Sequence, residues 1–540
     1  MTDVSLEPKI DWNDVQGNIL GGFNKDYQAL LGLKFGADLN ATKAFIAWLA
    51  ARVTDLKIVH TYKAERSRRM LSEGAEPSDM PATWTCVSFS FAGLSFLTAE
   101  ANDFTDPRFR NGLYASSSSL GDPQDPASSG NIANWKLGGS AETTPSMFVI
   151  VAADRLQDLR QAVNAIQAQA TAAGCAQIYL ETGRDLSSYS TATQKFPSGH
   201  EHFGFKDGIS QPGIRGMLPT DEPLTPRSVK SDPVDTGIEY AATGKPLICV
   251  GQFLLGYAQQ VDVAPRQPGP PIVLGPKPYA PAPNASAPWW AFNGSFLVFR
   301  RLRQDVSAFR SFAAQAAAAI GNNNIDATRM AALCVGRWPS GASVIRTPMH
   351  DDPKQARPEI INAFAYVDEN EALALPVDNA GTVCPVSAHL RKVNPRDVDT
   401  DQGAASATLI RRLLRRGIPY GPPFDLDGAA DSDRGLLFLS FQSSIANQFE
   451  FLCSRWMNQA VLPDNPSGHA EGLGNDMLVG QGIVDRTRFA YVRIATPNSG
   501  PPDDHKISNA QMDVKDWVVP TGGGYFFTPS LSAMRGVLGT

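Results

Sequence analysis

A chain of 540 residues with 43% hydrophobic and 19% charged residues is too long for one ordinary core and rich enough in apolar surface to bury several, which excludes wholesale disorder and predicts at least two domains. Its 54 acidic and 48 basic groups leave a net charge of −6, so no global cationic field draws nucleic acid or an anionic membrane. No stretch approaches the roughly 20 apolar residues of a membrane span, and the opening MTDVSLEPKIDWNDVQGNIL lacks the basic-then-apolar order of a signal peptide, so the expected compartment is the cytoplasm.

In chain order, Gly17-Asn-Ile-Leu-Gly-Gly-Phe23 leads to an apolar strand candidate, Leu30 to Phe35, and then to a helix with Phe45, Trp48, Leu49 and Val53 at helical spacing. A strand alternating Val87, Phe89 and Phe91 follows, and the polar stretch 117–145 reads as a loop. The join between halves is expected in 217–246, which is rich in Pro, Asp and Thr. The order then repeats. Gly251-Gln-Phe-Leu-Leu-Gly-Tyr257 shares its first and sixth glycines with the opening motif. A strand, Ser295 to Phe299, a helix with Val306, Phe309 and Ala313, and a strand alternating Leu437, Leu439 and Phe441 come after it. The proline-dense insert 263–289 is expected as a surface loop. Two related α+β halves, 1–235 and 236–540, are therefore predicted. Six cysteines scattered singly suggest reduced, mostly buried thiols rather than a zinc knuckle or disulfide framework. Only seven histidines, at 60, 200, 202, 350, 389, 469 and 505, are available as metal ligands.

A few segments concentrate the residues able to do chemistry. In Gly204-Phe205-Lys206-Asp207-Gly208-Ile209-Ser210-Gln211-Pro212 two glycines let a loop turn tightly while presenting one carboxylate; alone, it reads equally as an aspartate capping a turn. Cys384-Pro-Val-Ser-Ala-His389-Leu-Arg-Lys-Val-Asn-Pro-Arg396 carries a histidine followed by Arg391, Lys392 and Arg396, for which a surface histidine and a solvated basic face are the plain alternative. Leu413-Leu414-Arg415-Arg416-Gly417-Ile418-Pro419-Tyr420-Gly421 holds two permanently charged guanidinium groups, suited to an anionic oxygen or merely to a helix end. In Gly435-Leu-Leu-Phe-Leu-Ser-Phe-Gln-Ser-Ser-Ile445, alternation puts Leu437, Leu439 and Phe441 on one face, as pocket wall or core.

Together these segments resemble the dye-decolorizing peroxidase family. The first is similar to its G-x-x-D-G signature, the second to its proximal histidine segment and the third to its distal arginine segment. Gly474-Asn-Asp476-Met-Leu-Val-Gly-Gln481 is similar to the segment supplying the acid partner of the histidine, with Met477 where proline is expected. The similarity runs from Gln16-Gly-Asn-Ile-Leu20 through Gly336-Arg-Trp-Pro-Ser-Gly341 to Tyr525-Phe-Phe-Thr-Pro-Ser530, nearly the whole chain.

The resemblance implies a pair of ferredoxin-like α+β domains with antiparallel sheets, like a dimeric α+β barrel, with haem b, one per chain, mainly in the C-terminal half. It implies His389 as iron ligand, Asp476 as its partner, and Arg391, Lys392 and Arg396 near the haem propionates. Asp207 and Arg415 would act on hydrogen peroxide through an oxoferryl intermediate, Arg415 rather than Arg416 because the family's arginine directly follows the leucine pair. Leu437, Leu439 and Phe441 would wall the distal pocket, and His202 would line the access route. Tyr420 and Trp456 would pass electrons at the surface from dyes, phenols or other aromatic donors. The alternatives are a haem-binding or iron-releasing, deferrochelatase-like protein, and a non-haem metal at His200-x-His202, which falls short of the three or four ligands of a zinc site. The chain ends at Thr540 soon after the last similar segment, so no long C-terminal extension is expected.

Overall fold

The computed structural model describes residues 7–73, 80–217, 240–242, 245–261, 286–367, 375–429, 432–466, 468–482, 485–495 and 500–540. In the N-terminal half, strands β1 (Tyr27–Lys34), β2 (Thr83–Phe89), β3 (Met147–Ala153) and β4 (Ala176–Arg184) form an antiparallel sheet in the order β4-β1-β3-β2. The C-terminal half repeats this with β5 (Ser295–Gln304), a second strand broken into β6 (Leu414–Arg415) and β7 (Ile418–Tyr420), then β8 (Gly435–Gln442) and β9 (Val518–Thr528). Phe89 of β2 pairs with Phe527 of β9, and Gly183 of β4 with Tyr420 of β7, so the two sheets join at both edges and leave neither edge unpaired there. The fold is the expected α+β barrel of two ferredoxin-like halves.

Period-two alternation decides which side chains fill the barrel. Leu30, Phe148, Ile150, Leu297, Phe299, Leu437, Leu439, Phe441 and Phe526 point inward into one cluster, where Phe148 of one half stacks on Phe526 of the other with centroids 4.8 Å apart. Full burial of each such side chain contributes about 1.5–3 kcal/mol. Outward, α1 (Leu39–Ala50) and α2 (Leu156–Ala172) cover the N-terminal sheet with Phe45, Leu49, Leu159 and Val163 against Leu31 and Val149. Asp38 caps α1 by accepting from the Ala41 amide. On the other half, α3 (Val306–Ile320), capped by Asp305, packs on α4 (Ala327–Val335).

Three expectations change. The counterpart of Val87 and Phe89 in the second half is the broken strand 414–420, not Leu437 to Phe441, whose own counterpart is β3; the break at Arg416-Gly417 hides the alternation. Phe91 lies beyond the strand because Ser90 caps the helix Phe91–Leu97 by accepting from the Gly93 amide. The stretch 117–145 is not merely a surface loop: Leu120, Asp122, Trp135 and Leu137 are buried, and Asp122 pairs with Arg300 at 2.5 Å. The domain boundary at 235/236 and nearly all of 217–246 and 263–289 lie outside the described residues.

Candidate active site

While the inward face of the second sheet fills the barrel, its outward face lines a cavity of about 280 Å³, bounded by Arg300, Leu302 and Gln304 of β5 and by Leu436 and Phe438 of β8. This corrects the expectation for Leu437, Leu439 and Phe441. All three are fully buried in the barrel, and the pocket wall is the opposite register of the same strand. Sequence alternation identified the strand but could not say which face looked at the cavity, since both are apolar.

His389 opens the five-residue helix α5 (His389–Val393) and faces the cavity. Its Nδ1 lies 2.7 Å from Asp476 Oδ2, and Asp476 Oδ1 accepts the amides of Leu478 (2.9 Å) and Val479 (3.0 Å). A carboxylate so held accepts the hydrogen bond of the Nδ1–H and keeps the proton on Nδ1, leaving Nε2 with its lone pair. The side chain of Asp476 is 0% exposed and that of His389 33%, so the acid is enclosed while the imidazole remains open to a ligand. At about 100° per residue, Val393 returns to the face of His389 and also lines the cavity, whereas Arg391 and Lys392 point away.

Hence the propionate expectation fails for these two. Arg391 is enclosed against Asp378 (3.3 Å) and the Cys384 carbonyl (3.2 Å), and Lys392 donates to the carbonyls of Gln459 and Leu462, with burial pushing its amine down to about 7. Arg396 donates to the Asn362 and Phe364 carbonyls and stacks 3.7 Å above the Phe364 ring, outside the cavity lining. Beside Lys206, Arg300, Arg411 and Arg415, the cavity is lined by Arg337 and Arg412, two buried cations that the sequence reading missed. Burial and then the like charge of Arg396 push both down to about 9. Arg337 reaches Ser210 Oγ, Asn362 Oδ1 and the Gly341 and Ile361 carbonyls, and Arg412 the Ser210 carbonyl at 3.4 Å. Among the described residues neither has a carboxylate partner.

The loop carrying Asp207 lines the same cavity as His389. Gly204 (φ +98°) and Gly208 (φ +74°) adopt backbone that L side chains rarely take, with no protein atom within 4 Å of an added Cβ, so the glycines serve conformation rather than close packing. Arg415 Nη2 stands 3.9 Å from Asp207 Oδ1, with side chains 30% and 43% exposed. At that separation and exposure the pair attracts weakly and both groups remain available to a third molecule. Gln211 fixes the partner strand by exchanging hydrogen bonds with the backbone of Arg415, Nε2 to its carbonyl at 3.1 Å and Oε1 from its amide at 3.3 Å. Arg416 faces the other way, donating to the carbonyls of Asn18, Ile19 and Leu20 at 2.9–3.0 Å. Of the two neighbours, Arg415 is therefore the one that lines the cavity.

Three further expectations do not fit this geometry. His202 is buried with Nε2 2.8 Å from the Tyr420 carbonyl, and His200 holds the Ser198 and Pro339 carbonyls, so neither lines the cavity and the two imidazoles do not converge on a metal. Tyr420 is buried under Arg301 at 4.1 Å. Trp456 is fully buried, its indole donating to Asp401 at 2.9 Å. Neither ring is at the surface. Both sit where large aromatics usually sit, as packing.

The residues fit haem: one imidazole with its second nitrogen fixed, apolar walls of Leu302, Leu436, Phe438, Leu452 and Leu478, and two buried guanidinium groups suited to carboxylates. Two family models match the chain, the DyP dimeric alpha+beta barrel domain over residues 14–184 and the Dyp-type peroxidase, C-terminal domain over residues 281–465. A dye-decolorizing peroxidase of Mycetinis scorodonius is 30% identical over 98% of this chain and 88% of its own length. The structure of an ancestral D-type dye decolorizing peroxidase matches with a TM-score of 0.72 at 27% identity, and a dye-decolorizing peroxidase in complex with 2,6-dimethoxyphenol with 0.69 at 26%; each match covers 98% of this chain and 100% of the other. With the barrel, the His389–Asp476 pair and the Asp207–Arg415 pair all in place, the chain belongs to the dye-decolorizing peroxidase family and is a haem b peroxidase with one haem per chain.

Proposed function

We propose that the chain reduces hydrogen peroxide between His389 and the Asp207–Arg415 pair and oxidises phenols and dyes in exchange. The 3.9 Å approach of Arg415 to Asp207 over the cavity is the observation that carries this reading. His389 Nε2 would hold the haem, whose chemistry when bound would be to give two electrons to the O–O bond and recover them singly from donors. Asp207 accepts the proton of the bound peroxide and returns it to the departing oxygen, so that water leaves. The Arg415 guanidinium offsets the negative charge gathering on that oxygen. Asp476 keeps the Nδ1 proton on His389, which strengthens the imidazole as a donor. Arg337 and Arg412, which line the cavity, would hold the haem carboxylates. A phenol is the donor class in view, since a similar enzyme was solved with 2,6-dimethoxyphenol.

The test is to load the protein with haem and follow oxidation of 2,6-dimethoxyphenol with and without hydrogen peroxide. Turnover that requires peroxide and leaves the tetrapyrrole intact supports the reading. Release of iron with no phenol oxidation supports the deferrochelatase-like alternative instead.

A further inference from the structure

Glu201 precedes Asp207 by six residues and lines the same cavity. Its Oε2 accepts the Phe203 amide at 2.9 Å and Gln304 Nε2 at 2.5 Å, and its Oε1 accepts the Phe205 amide at 2.9 Å. The main chain closes on the same residue: the Glu201 amide donates to the Phe205 carbonyl at 3.0 Å and the Gly204 amide to the Glu201 carbonyl at 2.9 Å. Gln304 belongs to β5, a barrel strand, and the Phe203 ring is rooted against Phe309 of α3 at 4.5 Å. A rigid path therefore runs from the barrel through Gln304 and one carboxylate into the loop amides, and Asp207 leaves that loop two residues later.

We propose that Glu201 is a positioning residue of the peroxidase, its carboxylate fixing the loop from which Asp207 meets the peroxide. A carboxyl group accepts on both oxygens, whereas a carboxamide would turn an NH2 group against one of the amides. Burial, with the like charge of Asp207 adding last among its causes, pushes the Glu201 carboxyl up to about 7, so the group is kept at an electrostatic cost that packing alone does not require. The proposal rests on Asp207 being the proton acceptor.

Two measurements on haem-loaded protein test it. The first is the rate constant for reaction with hydrogen peroxide in the wild type, Glu201→Gln, Asp207→Asn and the double variant. The second, repeated without haem, is amide hydrogen exchange over residues 203–208. Glu201→Gln is expected to slow the peroxide reaction ~10-fold, part of the roughly 10²–10⁴-fold that acid–base catalysis contributes, and to add nothing in the Asp207→Asn background. Exchange over 203–208 should quicken by about tenfold with or without haem while β1 and β3 stay unchanged. Gln304→Leu, a milder cut of the same path, should move both readouts in the same direction. An equal slowing by Glu201→Gln in the Asp207→Asn background, or unchanged exchange over 203–208, overturns the proposal. If Asp207→Asn alone reacts normally, the proton-acceptor reading of Asp207 falls, and the proposal with it, whatever the exchange data show.

Discussion

Asp207 and Arg415 face each other at a distance that suits a third molecule, and their substitutions should separate cleanly from that of the neighbouring Arg416. Asp207→Asn removes the proton acceptor and Arg415→Leu removes the charge that balances the departing oxygen, so each should slow the peroxide reaction by about 10²-fold or more at unchanged haem content. Arg416 instead donates to the carbonyls of Asn18, Ile19 and Leu20. Arg416→Leu should leave the peroxide reaction near normal and cost about 2 kcal/mol of stability, the scale of hydrogen bonds to a charged group. Stopped-flow kinetics beside thermal unfolding distinguishes the three; slow reaction in Arg416→Leu with unchanged stability would reverse the assignment. Histidine, aspartate and arginine were legible in the sequence because each stood in a motif with several neighbours fixed. Arg337, Arg412 and Glu201 were not, since nothing in a lone buried charge reveals its distant partners: Glu201 depends on Gln304 and Arg337 on Asn362.

At the scale of elements, β8 divides two functions between its faces, and the division predicts opposite phenotypes. Leu437→Ala cuts into the barrel cluster and should destabilise by about 2–5 kcal/mol with the haem spectrum unchanged. Phe438→Ala widens the cavity wall and should alter the haem spectrum or weaken haem binding at smaller cost to folding. Reversed results would place the haem on the other face of the sheet. Helix α5 divides likewise, with His389 and Val393 toward the cavity and Arg391 tied to Asp378. The basic run after His389 suggested propionate ligands because a sequence shows composition but not rotation. Trp456 is enclosed behind Asp401, so a relay to bulky dyes through Trp456 would run through a buried ring. Trp456→Phe should lower dye turnover selectively if that relay operates, and a parallel loss of phenol turnover rejects it.

For the whole molecule, the two-half architecture was legible from the repeated order of glycine motif, strand and helix. The pairing of individual strands was not, because the second strand of the C-terminal half is broken at Arg416-Gly417. His389 and the Asp207 loop line one cavity on the outer face of the C-terminal sheet, where the carboxyl of Glu201 ties stability to pH. Its carboxyl lies at about 7 against an ordinary 4.5. Between these values the folded protein holds the proton and the unfolded chain releases it. The contribution is therefore full below about pH 4.5 and is lost as pH rises through about 7. The melting temperature of the wild type should fall relative to that of Glu201→Gln between pH 5 and 8; parallel curves would show that this carboxyl does not titrate in that window.

The proposed chemistry depends first on His389 binding a haem in the cavity on the outer face of the C-terminal sheet. Titrating haem into the protein and into His389→Ala, followed by the absorption of the bound ferric haem, tests it most directly. Saturation at one haem per chain is expected in the wild type, with weakened binding and changed iron coordination in the variant. Equal affinity with an identical coordination spectrum in His389→Ala would contradict it.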